Sequence, residues 1–500
     1  MSITEKEISW TVHNWLKKIK VAYVPGSTNP FMENVVKDLL EQFQKLGHIT
    51  SSQPDNSTDV ILTTANFGEP IKWRTALMFT ARKRFGLEKL PTVVTIIQVS
   101  PARLKESLEY FQEVLDNDQI SPEDYDIPGL APSAYLTLYE QGKRGGPMLS
   151  LMRTLQSQAK CIRIILIVGE ETPIEAYTFD LVGAHPRTDA TDPEYFLRDL
   201  AFRILTAVST SEITNHQVVG DSISLEQWQR LSTPAAMRKA GLEFGKRNFF
   251  TQMIRISDLV HVPAIDEAIS RQYSEGCFTT WDPEIPGLIA TITGSARPVE
   301  KDNLTDDEMA IIIGVRKDGI GALVRNVDGK RNDPPSSEAV EMIEMDFPLP
   351  RISVEMQPGN VVANINPPGK SVYEVPVARS KLHGHRGVQS YNPHLIEHVS
   401  LDEPYYHYPV SCSTEAQARA IRDAFSRSKA FNDPNDPRQV VFTVLPGHGV
   451  VIAEKWVPGK VPFQVIWEFM DSGDLQIENF IPQGPLNYEL ENDEKMVIKV

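Results

Sequence analysis

Short, unbroken apolar runs alternate with amphipathic stretches through the first third of the chain. "IKVAYVPG" (Ile19 to Gly26) has the run length of a buried strand. "NPFMENVVKDLLEQFQKLG" (Asn29 to Gly47) repeats its apolar residues at helical spacing. Asn29 is placed to cap that helix, Pro30 to fill its first turn and Gly47 to stop it. "TDVILTT" (Thr58 to Thr64) and "TVVTIIQV" (Thr92 to Val99) read as a second and a third strand. Helical stretches are predicted between them, over 71–84, and after them, from Ser100-Pro101 to about Leu115. A βαβαβα order implies a parallel sheet with helices on its faces, because parallel neighbours need a crossover connection.

Beyond a linker rich in Asp, Pro and Gly (117–147), the same texture resumes. A helix is predicted over 148–159 and a strand over 161–168. A longer helix starts near Asp192, with Thr191 and Glu194 as a capping box. Helical segments continue to about Arg271. From about Tyr273 the period shortens. Runs such as "LIATITG", "MAIIIGVR", "IGALVRNV", "RISVEM", "SVYEVPV", "QVVFTVLP", "GVVIAEKWV" and "PFQVIWEFM" are split by Pro/Gly turns, as in antiparallel sheets, sandwiches or barrels. One helix, "STEAQARAIRDAFSRSKAF", interrupts them. The predicted fold class is α/β: an N-terminal parallel-sheet α/β part, then a C-terminal, mostly antiparallel β domain. The expected divisions are 1–145, 146–272 and 273–500.

Composition narrows the function classes. A formal net charge of −16 repels phosphate backbones, and no basic patch of consequence offsets it, so nucleic acid is not an expected partner. Three cysteines far apart, Cys161, Cys277 and Cys412, form no CxxC pair, which points to a reducing, cytoplasmic compartment. The first twenty residues lack the apolar core of a secretory signal, and no apolar run is long enough to span a membrane.

Candidate chemistry gathers late in the chain. Four of the eleven histidines, His383, His385, His394 and His398, fall within "ARSKLHGHRGVQSYNPHLIEHV", and His407 follows. On a strand, His383 and His385 share one face, Gly384 lets another chain approach closely, and two same-face imidazoles suit a divalent transition metal. His394 and His398 would share a helix face if that run is helical. The alternative is that these are unrelated loop and surface histidines. Acids recur in "YSEGCFTTWDPEIPGLIATITGSARPVEKDN": Glu275, then Asp282, Glu284, Glu300 and Asp302. Glu275 precedes a Gly-Cys-Phe run that reads as buried. Each acid could instead be a cap or a solvated loop residue. Glu338, Glu341 and Glu344 recur at helical spacing and read as a solvated face. "YVPGSTNP" (Tyr23 to Pro30) joins a strand to a helix N-terminus through a Gly-Ser-Thr turn, an anion-friendly arrangement without the lysine of a P-loop. Cys412 precedes a helix N-terminus with His407 upstream, but a buried structural cysteine is the simpler reading.

The "EG" at Glu275-Gly276, the apolar segment ending in "TG", the acid beyond it and the late histidines follow one another in an order that resembles the L-fucose and L-arabinose isomerase group. The resemblance implies a manganese ion held by Glu275, by Asp302 or Glu300, and by His383 or His385. It also implies aldose–ketose isomerisation through an enediol, with a carboxylate moving the proton. The expectation is therefore a divalent-metal-dependent enzyme of carbohydrate metabolism. It would be cytoplasmic and homo-oligomeric, act on a sugar or related polar substrate, and use Glu275 and Asp302 as catalytic groups with Glu275, Asp302, His383 and His385 on the metal. Two alternatives stay open: a non-catalytic ligand-binding or assembly protein, and a metal-dependent hydrolase or lyase.

Overall fold

A computed structural model of the chain describes residues 19–67, 84–88, 91–103, 106, 164–169, 175–180, 183–188 and scattered positions of 194–204. Further on it describes 216–250, 276–293, 299–317, 321–336, 338–357, 359–362, 364–365, 371–402, 415–445, 449–478, 489–490 and 496–497. They divide into two compact units. One is drawn from 1–208, 254–272 and 488–500, the other from 209–253 and 273–487. The chain thus crosses between units more than once, and the helical stretch 225–246 belongs with the late β-rich part. Among the described residues no helix is long and apolar enough to cross a membrane.

The first unit is built on a seven-stranded sheet. Its strands are β1 (Lys20–Tyr23), β2 (Ile49–Ser51), β3 (Val60–Asn66), β4 (Thr92–Val99), β5 (Ile164–Val168), β6 (Glu175–Asp180) and β7 (Gly183–Thr188), in the order β2-β1-β3-β4-β5-β6-β7. The first five are parallel, as the alternating pattern requires, while β6 and β7 close the edge as an antiparallel pair. That hairpin has no counterpart in the sequence reading. β4 is buried on both faces apart from Gln98, which explains its continuous β-branched run. Helix α1 (Pro30–Lys45) starts and stops where expected. The Asn29 side chain accepts from the Met32 N–H, worth about 1 kcal/mol, and Gly47 takes a left-handed φ of 84°. Met32, Val35, Val36, Leu39 and Phe43 form its buried stripe. The helices expected at 71–84 and 148–159, and most of the one after Ser100, lie outside the described residues.

The second unit carries a nine-stranded sheet. In chain order the elements are β8 (Gln217–Val218), α2 (Leu225–Arg230), α3 (Thr233–Lys246), β9 (Cys277–Asp282), β10 (Gly287–Thr291), β11 (Met309–Val315), β12 (Ala322–Arg325), α4 (Ala339–Glu344), β13 (Arg351–Glu355), β14 (Asn364–Ile365), β15 (Val372–Pro376), β16 (Ala378–Gly384), β17 (Gly387–Ser390) and β18 (Ile396–His398). Then come α5 (Glu415–Ser426), α6 (Lys429–Asn432), β19 (Val440–Leu445), β20 (Gly449–Lys455), α7 (Gln464–Ser472) and β21 (Leu475–Glu478). The large sheet runs β18-β19-β20-β16-β9-β10-β11-β12-β8. Its interior pairs are antiparallel, and β18 and β8 add in parallel at the two edges. β14-β13-β15 and β17-β21 form two smaller sheets.

Period-two alternation gives the large sheet two different faces. Phe278, Leu382, Ile452 and Phe442 lie in register across β9, β16, β20 and β19 and join an apolar core with α3 and α7. Within that core the Phe244 ring meets those of Phe249, Phe463 and Trp467 at 5.8, 5.8 and 6.2 Å between centroids, spacings that favour aromatic pairs. The intervening residues, Cys277 and His383 in register with Val451, turn to the other face. There α4 packs on β9, β10 and β11, and α5 packs on α4.

A candidate metal centre

β16 holds the centre of the sheet between β9 and β20, and every one of its residues is buried. Burial on both faces usually selects apolar side chains. Here the residues alternate instead: Lys381 and His383 stand on the face of α4, and His385 follows just past the strand end. All three are 2 % exposed or less. Gly384 between the imidazoles is where another element approaches closely. A Cβ there would lie 2.3 Å from the Phe249 ring.

Glu338 comes to the histidines from the start of α4. It precedes the first helical residue with φ −68° and ψ −14°, and its Oε2 accepts from the Ser336 hydroxyl at 3.2 Å. The Ser336 N–H in turn donates to the Thr291 carbonyl at 2.9 Å, which ties this entry to β10. Donor atoms of Glu338, His383 and His385 all lie within 4.8 Å of one another, and all three residues are buried. The imidazole centroids are 5.0 Å apart, with rings inclined at 69°.

The tautomer of His383 follows from its neighbour. Its Nδ1 is 3.0 Å from the Val450 carbonyl oxygen, and a carbonyl only accepts, so Nδ1 carries the hydrogen. Nε2 then presents its lone pair toward Glu338 Oε1, 3.5 Å away. Two electron-rich atoms facing each other in a buried site are reconciled by a shared proton or by a cation between them. A ring nitrogen fixed by a backbone carbonyl, with the other left to coordinate, is the usual arrangement of a metal-bound histidine. Bonds of about 2.1 Å put tetrahedral donors roughly 3.4 Å apart and trans octahedral donors roughly 4.2 Å apart. The His383–Glu338 separation of 3.5 Å already matches the tetrahedral spacing, and the overall limit of 4.8 Å exceeds it by about 1.4 Å, which the side chains would close around an ion.

The surroundings are polar and dry. Glu341, one helical turn beyond Glu338, is fully buried and accepts from the Gln417 amide at 3.0 Å. Burial pushes its carboxyl well above the usual range, and Glu338 and Glu344 add repulsion in the same direction. Cys277, in register with His383, is a free thiol. Burial raises it first, and Glu338 and Glu341 raise it further. Lys381, on the same face, is bonded through its ammonium to Asp346 at 2.5 Å. Two carboxyls and two imidazoles thus share one buried face.

No family model, curated protein or solved structure matches this chain. The geometry alone therefore carries the functional reading.

Of the residues singled out in the sequence, the fold brings His383 and His385 together. Glu275 lies outside the described residues, as do His407 and Cys412. Asp302 is placed elsewhere. It is exposed on a three-residue 3₁₀ turn (Lys301–Asn303) that packs against Gly245 of α3, and it is not in the Glu338–His383–His385 group. Glu300, just before that turn, is also exposed. His394 sits in an exposed turn and His398 on β18, so they do not share a helix face. Pro393 begins a turn there, and the chain then pairs with β19. The acidic stripe was read the wrong way round: Glu338 and Glu341 face the interior. Its signal was present. Ala339, Val340, Met342, Ile343 and Met345 leave no polar face on that short helix apart from the acids themselves, and a helix apolar all round is a buried one.

Proposed function

We propose that this protein is a divalent-metal-dependent enzyme whose ion is held by Glu338, His383 and His385. The observation that carries the proposal is the convergence of one carboxylate and two imidazoles within 4.8 Å on a buried sheet face. Two imidazoles and a carboxylate suit zinc, iron or manganese, and three protein ligands leave coordination positions for a substrate oxygen. An ion there would act as a Lewis acid on a carbonyl or hydroxyl, and beside it burial raises the Glu341 carboxyl in the direction that suits a general acid. The sugar substrate, the isomerase reaction and the choice of manganese enter from the sequence resemblance. A reducing, cytoplasmic setting agrees with Cys277 as a buried free thiol.

Elemental analysis of the full chain, dialysed separately against manganese, zinc and ferrous iron, tests the metal. About one ion per chain is expected. Glu338→Gln, His383→Ala and His385→Ala should each lose it with folding retained by circular dichroism. A chain that takes up none of the three ions refutes the centre. Interconversion of pentoses and hexoses by the loaded chain tests the reaction separately. Metal uptake without turnover on that panel would remove the sugar and leave the centre.

The depth of burial favours a second reading, an ion that stabilises the unit without chemistry. Under it, chelator would strip the ion only as fast as the unit unfolds. Rapid loss from the folded protein would exclude it.

A further inference from the structure

The first unit contains a site that the metal centre does not use. Its strand order β2-β1-β3-β4-β5 reverses direction at β1: the chain passes from β1 to β2 on one side, then returns to β3 on the other. In open parallel sheets such a reversal leaves a crevice above the carboxyl ends of the strands, because the connections on its two sides leave toward opposite faces. Here the crevice is present, with a volume of about 390 Å³. Its lining comes from three strand ends: Asn29, Pro30 and Phe31 after β1, Phe67 after β3, and Gln98, Val99, Ser100 and Arg103 at and after β4.

The floor is fixed before any ligand arrives. The Asn29 amide donates to Gln98 Oε1, and Gln98 Nε2 donates to the Gly169 carbonyl at 2.7 Å, which ties together the ends of β1, β4 and β5. The β1–α1 loop is pinned to β3 by Gly26, whose N–H donates to Thr64 Oγ1 at 3.1 Å. A Cβ at Gly26 would lie 1.9 Å from the Thr64 carbonyl oxygen, so the loop fits only as glycine. Two chemistries then remain on offer. Arg103 is a half-exposed guanidinium paired with Glu106 at 3.0 Å, which is itself exposed, and such a pair is weak enough to exchange for a ligand anion. The amino end of the sixteen-residue α1 faces the same side, with Asn29 on the Met32 N–H and Glu33 in its first turn. Phe31 and Phe67 supply aromatic walls, both partly buried.

We propose that this crevice binds a small phosphorylated molecule carrying an aromatic ring, of the size of a nucleoside monophosphate. The phosphate lies on Arg103 and the amino end of α1, and the ring lies against Phe31 and Phe67. The volume is within the range of small-ligand sites.

Titration calorimetry of the full chain with adenosine monophosphate, adenosine, ribose 5-phosphate and inorganic phosphate tests this. Adenosine monophosphate is expected to bind at least about tenfold tighter than any of the other three. Arg103→Ala should weaken it about tenfold while leaving adenosine unchanged, and Phe67→Ala should weaken adenosine and the monophosphate alike. Binding should persist in His383→Ala, which separates this crevice from a phosphate lodged on a metal ion. The proposal is overturned if adenosine monophosphate gives no heat at about 1 mM, or if its affinity is unmoved by Arg103→Ala, or if it is lost in His383→Ala.

Discussion

Replacing Lys381 by methionine should reveal how much of the sheet's buried face depends on its ion pair. Lys381 and Asp346 meet at 2.5 Å with side chains 0 % and 5 % exposed. Two unit charges at that distance attract by roughly 7 kcal/mol at an effective dielectric constant of about 20. Desolvating each ion costs several kcal/mol, so the pair as a whole stabilises little. Burial pushes the Asp346 carboxyl up to about 6 and the Lys381 ammonium down, each against the pull of its partner. Lys381→Met removes the attraction and leaves the desolvation, at an expected cost of about 3–5 kcal/mol near pH 8. Because the folded pKa of Asp346 lies above its unfolded one, its favourable contribution is complete below the ordinary carboxylate range and is lost as pH rises through about 6. The penalty in the variant should accordingly shrink toward roughly half near pH 5, where Asp346 takes up a proton. Lys381→Met combined with Asp346→Leu should return to within about 2 kcal/mol of the parent. Hydrogen exchange of peptides from β9, β16 and β20, followed over a urea series by mass spectrometry, reads the stability of this unit alone. If the double variant is as unstable as Lys381→Met, the reasoning fails and methionine is simply a poor fit at 381.

Two further outcomes follow from neighbouring residues. Burial pushes the Glu454 carboxyl up to about 7, so the unit should lose stability as pH rises from about 4.5 through 7, by on the order of 3 kcal/mol, and Glu454→Gln should abolish that loss. Parallel slopes for parent and variant in urea titrations across this range would contradict it. Gly384→Ala should cost about 1–3 kcal/mol in thermal unfolding through its clash with the Phe249 ring, and Phe249→Leu in the same chain should recover part of that. No recovery would place the strain in the backbone instead.

The parts of the fold that sequence patterning exposed are those in which local and global demands coincide. α1 has its cap, its stripe and its stop in one contiguous run, so its local signals agree on one answer. The parallel strands β3 and β4 are rich in β-branched residues for the same reason. The β6–β7 hairpin escapes because "EAYTFD" and "GAHPRT" show no sustained alternation. At the candidate metal centre, His383 and His385 were legible from spacing two on a strand. Glu338 is not, because it is buried against His383, a contact between segments forty-five residues apart (383 − 338) that forms only when α4 packs on the sheet. The sequence does place Lys381, His383 and His385 at period two, and three cationic or imidazole side chains so spaced signal that one face of this strand is no ordinary core.

The position of β16 also bears on the order of assembly. Its partners lie about a hundred residues upstream in β9 and about seventy downstream in β20, so its register is settled late, after costly loop closures. A newly made chain holds His383 and His385 as a local pair from the outset, yet Glu338 joins them only when the sheet has closed. Under the proposed metal function, the imidazoles alone would hold an early ion only weakly, and the complete cage would select its ion when β16 locks in.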